Sequence, residues 1–567
     1  MAERREPVTL AHYLWTRLRQ CGVNSVHGVP GDYNLNLLDC ISSTGLHWVG
    51  SCNELNGGYA ADGYARVKGM GAIVTTGGVG ELSAINTHAG AYSEQVSLVH
   101  IVGSPALRIR ENGKFAMHHT LGNTDFGVFK KMFEPISAAH ESLSDVRDAP
   151  KQIDYALRKC WISSRPVYID IPSDMANEIV EGAALATSLD LSYAINDKKV
   201  ESQALASLQK QLDNAKRACF LLDLGAARQR LDTEIQELVS KSRIPTFVTP
   251  LAQGLVNESE PNHGGLYAGK GSHPGVQEFL ESSDLVIHVG RLDTDVTTYL
   301  GSAKIKRASR ISIFSEKVEM EDSSYSELHL RAFLLSMLDQ LDFSKVSIEE
   351  FRPHTRNGDV SSDNEPAITQ NWLWPYIGTG LEKGDIVLTD TGTASFGIFD
   401  TKLPPESMLI NISLWASIGY SLPSAQGAAL AAKDDKSGRR TIVFQGDGSF
   451  QLTCQEISTM IKHRLRVIIF IICNNGYTIE RAVHDTREDY NDILLWNYKD
   501  ILHVFDADSQ YSRSFQVKTK TELRDLLGQK DFSHYPGVQL VELYTPELDV
   551  PAPLQRLADM ITGRAPS

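Results

Sequence analysis

The sequence predicts an α/β protein made of three consecutive doubly wound parallel-sheet domains. Three observations predict it. Short apolar runs with strand character alternate with helical patterns along the whole chain, the pattern of parallel sheets covered by helices. The chain has 567 residues, and at ~100–200 residues per domain that is room for three or four domains. Two polar stretches, residues 184–202 and 343–367, have linker composition and divide the chain into expected domains at 1–185, 200–343 and 366–567.

The strand-like runs follow in order. The first segment carries AIVTT (72–76), SLVHIVG (97–103) and PVYIDI (166–171). The middle one carries CFLLDL (219–224), TFVTP (246–250), LVIHVG (285–290) and ISIF (311–314). The last carries IVLTD (386–390), TIVFQ (441–445) and VIIFII (467–472). The unbroken apolar character of VIIFII fits a strand buried on both faces.

Composition narrows the function. The formal net charge is -15, which argues against nucleic acid or an anionic membrane as the main partner. The seven cysteines are odd in number and contain no CxxC, so free thiols in a reducing compartment are expected. The N-terminus MAERREPVTLAHYL has no apolar signal core, and GRAPS at the C-terminus is no peroxisomal signal. No run approaches ~18 apolar residues. A cytoplasmic protein without a membrane span is expected.

Residues 441–480 form one βαβ pattern. Strand 441–445 ends in Gly446-Asp447-Gly448, a helical stretch with Leu452, Ile457, Met460 and Ile461 follows, and strand 467–472 leads into CNNGYTIE (473–480). A right-handed crossover brings Asp447 and Asn474 to one edge of the sheet, where such sheets bind ligands. A carboxylate, an amide oxygen and the backbone carbonyl of Gly476 are hard donors suited to Mg²⁺ with phosphate and water. The glycines admit a phosphate close to the backbone, and the helix N-terminus favours an anion.

GDG followed after 25 residues by Asn474-Asn475 resembles the thiamine-diphosphate (ThDP) motif. The wider string GDGSFQLTCQEISTMI…NNGYTIE resembles the ThDP-dependent 2-oxo-acid decarboxylases, the fungal pyruvate-decarboxylating members in particular, and the likeness spans the whole chain. It implies the ThDP-enzyme fold of pyrimidine-binding, central and diphosphate-binding domains. It implies ThDP and Mg²⁺ as cofactors, with the metal on Asp447, Asn474 and the Gly476 carbonyl. Further cofactor contacts would come from Thr391, Thr393, Ala416, Ser417, Ile418, Gly448, Ser449, Asn475, Tyr477, Thr478 and Ile479. Among these, the Ala416 carbonyl would bind the aminopyrimidine, and Ile418 would bend the cofactor. The matching glutamate for the aminopyrimidine is Glu54, in SCNELNGGYAADGYAR (51–66). Since Glu54 and Asp447 lie in different segments, the family pattern implies an obligate homodimer, paired into a dimer of dimers, with the cofactor between subunits.

Loss of CO₂ leaves an electron pair that must be protonated before an aldehyde departs, which calls for proton donors. HGVPGDYN supplies Asp32, FAMHHTLGN supplies His118 and His119, and GYTIE supplies Glu480. Each alone reads as a turn residue, a structural histidine or a surface charge, whereas the resemblance assigns all four to acid–base work. Zinc is set aside, because no third ligand accompanies the His-His pair at metal spacing.

The implied substrate pocket is Asp32, His119, Val296, Ser395, Ile479 and Glu480. Departures from the family are Cys473 and Ala416, where Asn and Gly are usual, Val296 in place of a Phe, and Gly225-Ala226 where some fungal members carry a regulatory cysteine. The expected reaction is non-oxidative decarboxylation of a 2-oxo acid, most simply pyruvate to acetaldehyde and CO₂. Alternatives are larger acids such as phenylpyruvate, indolepyruvate or branched-chain 2-oxo acids, or a non-catalytic relative. The His-His pair argues against a carboligase, and no strand runs into GxGxxG as in a dehydrogenase.

Overall fold

The computed structural model describes residues 7–352, 365–484, 486–506 and 510–563. Residues 353–364 of the second polar stretch lie outside these. Each strand-like run is a strand, and the strands assort into three large sheets.

The N-terminal sheet is parallel, in the order His47–Trp48, Ser25–Gly28, Gly71–Thr76, Leu98–Ser104, Val167–Pro172, Ala139–Ser142. The C-terminal sheet repeats this layout: Met408–Asn411, Ile386–Thr389, Thr441–Gly446, Val467–Cys473, Val538–Tyr544, Ser512–Val517. In both, the chain reverses direction across the sheet between the second and third positions. The loops there leave opposite ways and open a crevice at the carboxyl ends of the strands. The N-terminal crevice lies beyond Gly28 and Thr76, the C-terminal one beyond Thr389 and Gly446.

The middle sheet runs His263–Leu266, Thr246–Val248, Ala218–Leu222, Leu285–Val289, Arg310–Ile313 in parallel. It then departs from the parallel expectation with the antiparallel strands Lys317–Met320 and Ser323–Ser326 at one edge. Its own crevice is shut. A Cβ on Gly225 would approach the Gly290 backbone to 2.8 Å, so neither a larger side chain nor a ligand fits between them.

The two outer domains share one apolar core, joined where helix Glu54–Lys68 crosses helix Ser421–Asp434. Small residues set the crossing. A Cβ on Gly63 would collide with the Ser424 carbonyl, and one on Gly427 with the Ala60 carbonyl. Polar ties flank the contact: Tyr64 and Ser25 donate to Asp434 at 2.9 and 2.8 Å, and Tyr420 donates to Asp62. The Glu94 carboxylate accepts the backbone N–H of Leu414 and Trp415 at 3.0 and 3.1 Å.

Glu456 is fully buried at this seam. Burial pushes its carboxyl up to about 7, offset in part by Thr459, Asn56 and the Cys52 N–H. The folded state therefore holds this proton more tightly than the unfolded chain, whose carboxyl titrates near 4.5. This contribution to stability is complete below that value and is lost as pH rises through about 7. Glu456→Gln should flatten the dependence, so that melting temperatures measured from about pH 5 to pH 8 fall less for the variant than for the wild type.

Candidate active site

The N-terminal crevice gathers Asp32, Glu54, His118 and His119. Asp32 follows the tight Val29-Pro30-Gly31 turn, where a Cβ on Gly31 would press on Thr76 at 2.7 Å. Its Oδ2 meets His118 Nε2 at 2.7 Å, with both side chains about half exposed, at 50% and 54%. Tyr33 stacks on the His118 ring, with centroids 5.0 Å apart, and donates to the His118 carbonyl at 3.0 Å. His119 is held at φ +60°, with its carbonyl against Gly78, where any Cβ would collide. The His118 and His119 ring centroids lie 4.6 Å apart. Ligand atoms of Asp32, His118 and His119 all fall within 4.8 Å of one another. Asp32 is thus the third donor that sequence spacing did not offer, and the ground for setting zinc aside falls with it.

Glu54 opens helix Glu54–Lys68, where the Asn53 side chain caps the Asn56 N–H at 2.8 Å. Its carboxylate lies over Gly80, 3.0 Å from where a Cβ would stand. Gly78 caps the short helix Val79–Ser83 that holds Gly80, and Glu81 fastens its start, accepting from the Gly78 N–H and the Tyr168 hydroxyl at 2.7 Å each. Burial pushes the Glu81 carboxyl up to about 7. Sequence reasoning missed Glu81, although a glutamate three residues after a helix-opening glycine is a capping-box signal.

In the C-terminal crevice Asp447 is fully buried, and four backbone N–H groups converge on it. Oδ2 accepts from Asn474 (3.1 Å) and Asn475 (2.9 Å), and Oδ1 from Gly448 (2.9 Å) and Gly476 (3.2 Å). Burial still pushes its carboxyl up to about 6 despite these bonds. The Asn474 side-chain oxygen faces the Gly476 carbonyl at 3.2 Å and Asp447 Oδ1 at 3.3 Å. Three acceptors facing one another repel unless a cation lies among them, and three oxygens are the donors Mg²⁺ prefers. With the amide turned over, the same atoms would hydrogen-bond and Thr478 would donate at 3.0 Å. The donor set therefore fits a hard divalent cation.

The surrounding backbone is packed closely at its glycines. A Cβ on Gly448 would meet the Tyr477 ring at 2.8 Å. Asn475 and Gly476 hold φ +63° and +115°, and a Cβ on Gly476 would strike the Asn491 carbonyl. The buried Arg481 guanidinium braces this turn by donating to the Asn475 and Asn491 carbonyls at 3.0 and 3.3 Å, a role its sequence position did not signal. Asp390, at the end of the IVLTD run and not singled out there, ties the other loops together. It accepts from Gly419 N, Ser421 N and the Ser421 hydroxyl.

Other sequence-named residues sit as follows. Ala416 holds φ +55°, which costs a non-glycine residue ~1–2 kcal/mol. The Ser417 hydroxyl is 2.6 Å from the Tyr59 hydroxyl and accepts from Asn86, so it serves the domain seam. Ile418 and Thr391 are half-buried. Thr393 accepts from Gln370, and Ser449 donates to the Gly446 carbonyl at 3.2 Å. Asn475 and Thr478 turn their side chains to Glu547. Ser395 donates to the Gly392 carbonyl at 2.9 Å. Val296 stands in a turn whose Tyr299 donates to the Pro553 carbonyl. That carbonyl belongs to helix Ala552–Thr562, which packs on helix Thr478–Val483 with Ile479 and Glu480. Cys473 is buried and only strand packing accounts for it.

Among the described residues, no hydrogen bond or ion pair joins Asp32, Glu54, His118 or His119 to Asp447, Asn474 or Glu480, and Glu480 is exposed. The space enclosed beside His119 by Gly78, Glu81 and Phe129 is about 20 Å³, enough for a water and too small for a substrate.

Gly476→Ala should weaken Mg²⁺-dependent ThDP binding at least tenfold, because the added methyl must displace the Asn491 carbonyl. Titration of the purified protein with ThDP at fixed Mg²⁺, followed by tryptophan fluorescence, checks this.

Comparison with known proteins agrees with this arrangement. Family models for the thiamine pyrophosphate enzymes match in order: the N-terminal TPP binding domain at residues 8–127, the central domain at 205–341 and the C-terminal TPP binding domain at 390–532. The chain is 46% identical over 565 residues to a pyruvate decarboxylase of Aspergillus fumigatus, covering 99% of this chain and 98% of the relative. It is 47% identical to that of Aspergillus terreus, with 99% and 98% covered. Pyruvate decarboxylase isozyme 2 of Saccharomyces cerevisiae is 37% identical, with 98% of each chain covered. With all three domains matched and both crevices furnished, the chain belongs to the thiamine-diphosphate-dependent 2-oxo-acid decarboxylase family.

Proposed function

We propose that this protein converts pyruvate to acetaldehyde and CO₂ with ThDP and Mg²⁺. The observation that carries the reading is the buried Asp447 carboxylate with Asn474 and Gly476 gathered on it, in a chain alike over its whole length to pyruvate decarboxylases. Asp447, Asn474 Oδ1 and the Gly476 carbonyl hold the metal. The Gly448 and Ser449 region, Thr391, Thr393 and the 475–479 turn hold the diphosphate. ThDP supplies the electron sink that the protein's side chains lack. Glu54 would hold a proton for the aminopyrimidine ring, the Ala416 carbonyl would accept from its amino group, and Ile418 would pack against the cofactor. Asp32 and His119 deliver protons to the substrate, with His118 steadying Asp32 through their 2.7 Å contact. Glu480 places the substrate carboxylate and aids CO₂ departure.

The site is completed by a second copy of the chain, and a dimer of dimers is the assembly the family pattern favours. Three features support this. Among the described residues, no hydrogen bond or ion pair joins the two crevices in one chain. Asp32 and Glu480 are exposed. Large apolar residues beside both crevices face solvent: Val79 (53%), Phe115 (59%) and Leu121 (61%) on one side, and Leu452 (44%), Leu494 (80%) and Leu495 (54%) on the other. The seven cysteines are all free and no described helix is long and apolar enough to cross a membrane, which supports a place in the cytoplasm.

Purified protein with ThDP and Mg²⁺ should release aldehyde from pyruvate faster than from 2-oxoisovalerate, phenylpyruvate or indolepyruvate. Aldehyde from none of them would end the decarboxylase reading, and a preference for an aryl acid would displace pyruvate. Glu480→Gln should lower kcat/KM for pyruvate by about a hundredfold or more.

Mixing tests the shared site. Glu54→Gln and Asp447→Asn chains are each inactive by this reading, yet a mixed dimer contains one site with both wild-type halves. Random re-pairing should restore ~25% of wild-type activity, since half the dimers are mixed. No recovery after verified subunit exchange would place each site within a single chain.

A further inference from the structure

The cluster of Asp32, His118 and His119 has a composition that proton transfer does not require. Two imidazoles and one carboxylate, with ligand atoms all within 4.8 Å of one another, form the 2-His-1-carboxylate set that binds transition metals while leaving positions open. A centre among three such atoms lies within about 3 Å of each, so each ligand need move less than about 1 Å to reach Zn–N and Zn–O distances near 2.1 Å. Within one chain Asp32 and His118 are about half exposed. Their backbones do not drift, because Tyr33 holds His118 and Gly78 holds His119.

We propose that Asp32, His118 and His119 form a second divalent-metal site, selective for Zn²⁺-like ions over Mg²⁺, whose occupation switches the enzyme off. The two crevices would sort cations by ligand chemistry. Asp447, Asn474 and Gly476 offer only oxygen, which suits Mg²⁺, whereas the imidazoles favour Zn²⁺, Co²⁺, Ni²⁺ and Cu²⁺. A bound Zn²⁺ takes the imidazole lone pairs and the carboxylate oxygen that would otherwise carry protons, while Mg²⁺ stays on its own site. The metal binding stands apart from the proposed activity; the inhibition rests on it.

The test uses the full-length protein loaded with ThDP and excess Mg²⁺, with Co²⁺ as a visible probe and Zn²⁺ as competitor. One Co²⁺ per chain should bind with a ligand-field absorption band that Zn²⁺ bleaches. His118→Gln, His119→Gln and the near-isosteric Asp32→Asn should each weaken binding at least tenfold, with unchanged melting temperatures in metal-free buffer. Cys52→Ser and His47→Gln, which remove the exposed thiol and half of the surface pair His47–His463, should leave it unchanged. Zn²⁺ should stop aldehyde release in the wild type at the concentrations that bleach the Co²⁺ band, whatever the Mg²⁺ concentration. Co²⁺ binding that survives all three site variants, or disappears in Cys52→Ser or His47→Gln, overturns the site. Inhibition relieved in proportion to added Mg²⁺ overturns it too, because the ion is then acting at Asp447. If no 2-oxo acid yields aldehyde while the three variants still lose Co²⁺, the metal site stands and the activity reading fails.

Discussion

Where helix Glu54–Lys68 crosses helix Ser421–Asp434, Gly63 and Gly427 let backbone meet backbone. A glycine inside a helix costs ~0.5–1 kcal/mol relative to alanine, and close packing over one continuous core offsets it. Much else depends on this contact. It locks the N-terminal and C-terminal sheets of one chain together, and it sets the start of the helix that carries Glu54. It also buries Glu456 and Asn56. With the two sheets joined in this way, each crevice presents exposed acid–base groups beside exposed apolar residues.

Asp447 shows how the second crevice is prepared. A buried carboxylate is costly, and four N–H donors from the strand-to-helix turns reduce that cost without removing it, as its raised pKa records. Beside it the Asn474 oxygen and the Gly476 carbonyl add further acceptors. The turn is held in a left-handed backbone conformation by Asn475, Gly476 and the Arg481 brace. A cation resolves both the repulsion and the residual burial cost. The other crevice is its chemical complement: nitrogen donors, half-exposed side chains and a helix start fastened by Glu81. One fold, used twice in the same chain, yields one oxygen site and one nitrogen-rich site because different residues occupy equivalent switch points.

Much of this was legible in the sequence. The apolar runs located the sheet centres, because a central parallel strand buried on both faces tolerates few polar residues. Edge strands such as His47–Trp48, Ala139–Ser142, Met408–Asn411 and Ser512–Val517 escaped, since one open side permits polar residues. Val538–Tyr544 is central yet was hidden by Gln539 and Glu542, whose buried side chains are satisfied by Arg513, Phe532, Lys499 and Gln516. The antiparallel edge of the middle sheet left no signal either.

By itself the sequence determined the three α/β units and the pairing of Asp447 with Asn474. A single βαβ crossover has one hand, and it brings two strand ends together whatever surrounds them. Only the tertiary structure decided that Asp32 meets His118 across 86 residues of chain, that Glu54 lies over Gly80, and that Glu81 secures the start of the helix holding Gly80. Those contacts depend on sheet order and on which loops face each other across a switch point, which no local spacing encodes. The same holds for the helix crossing, which rests on glycines whose role appears only when the opposing backbone is in place.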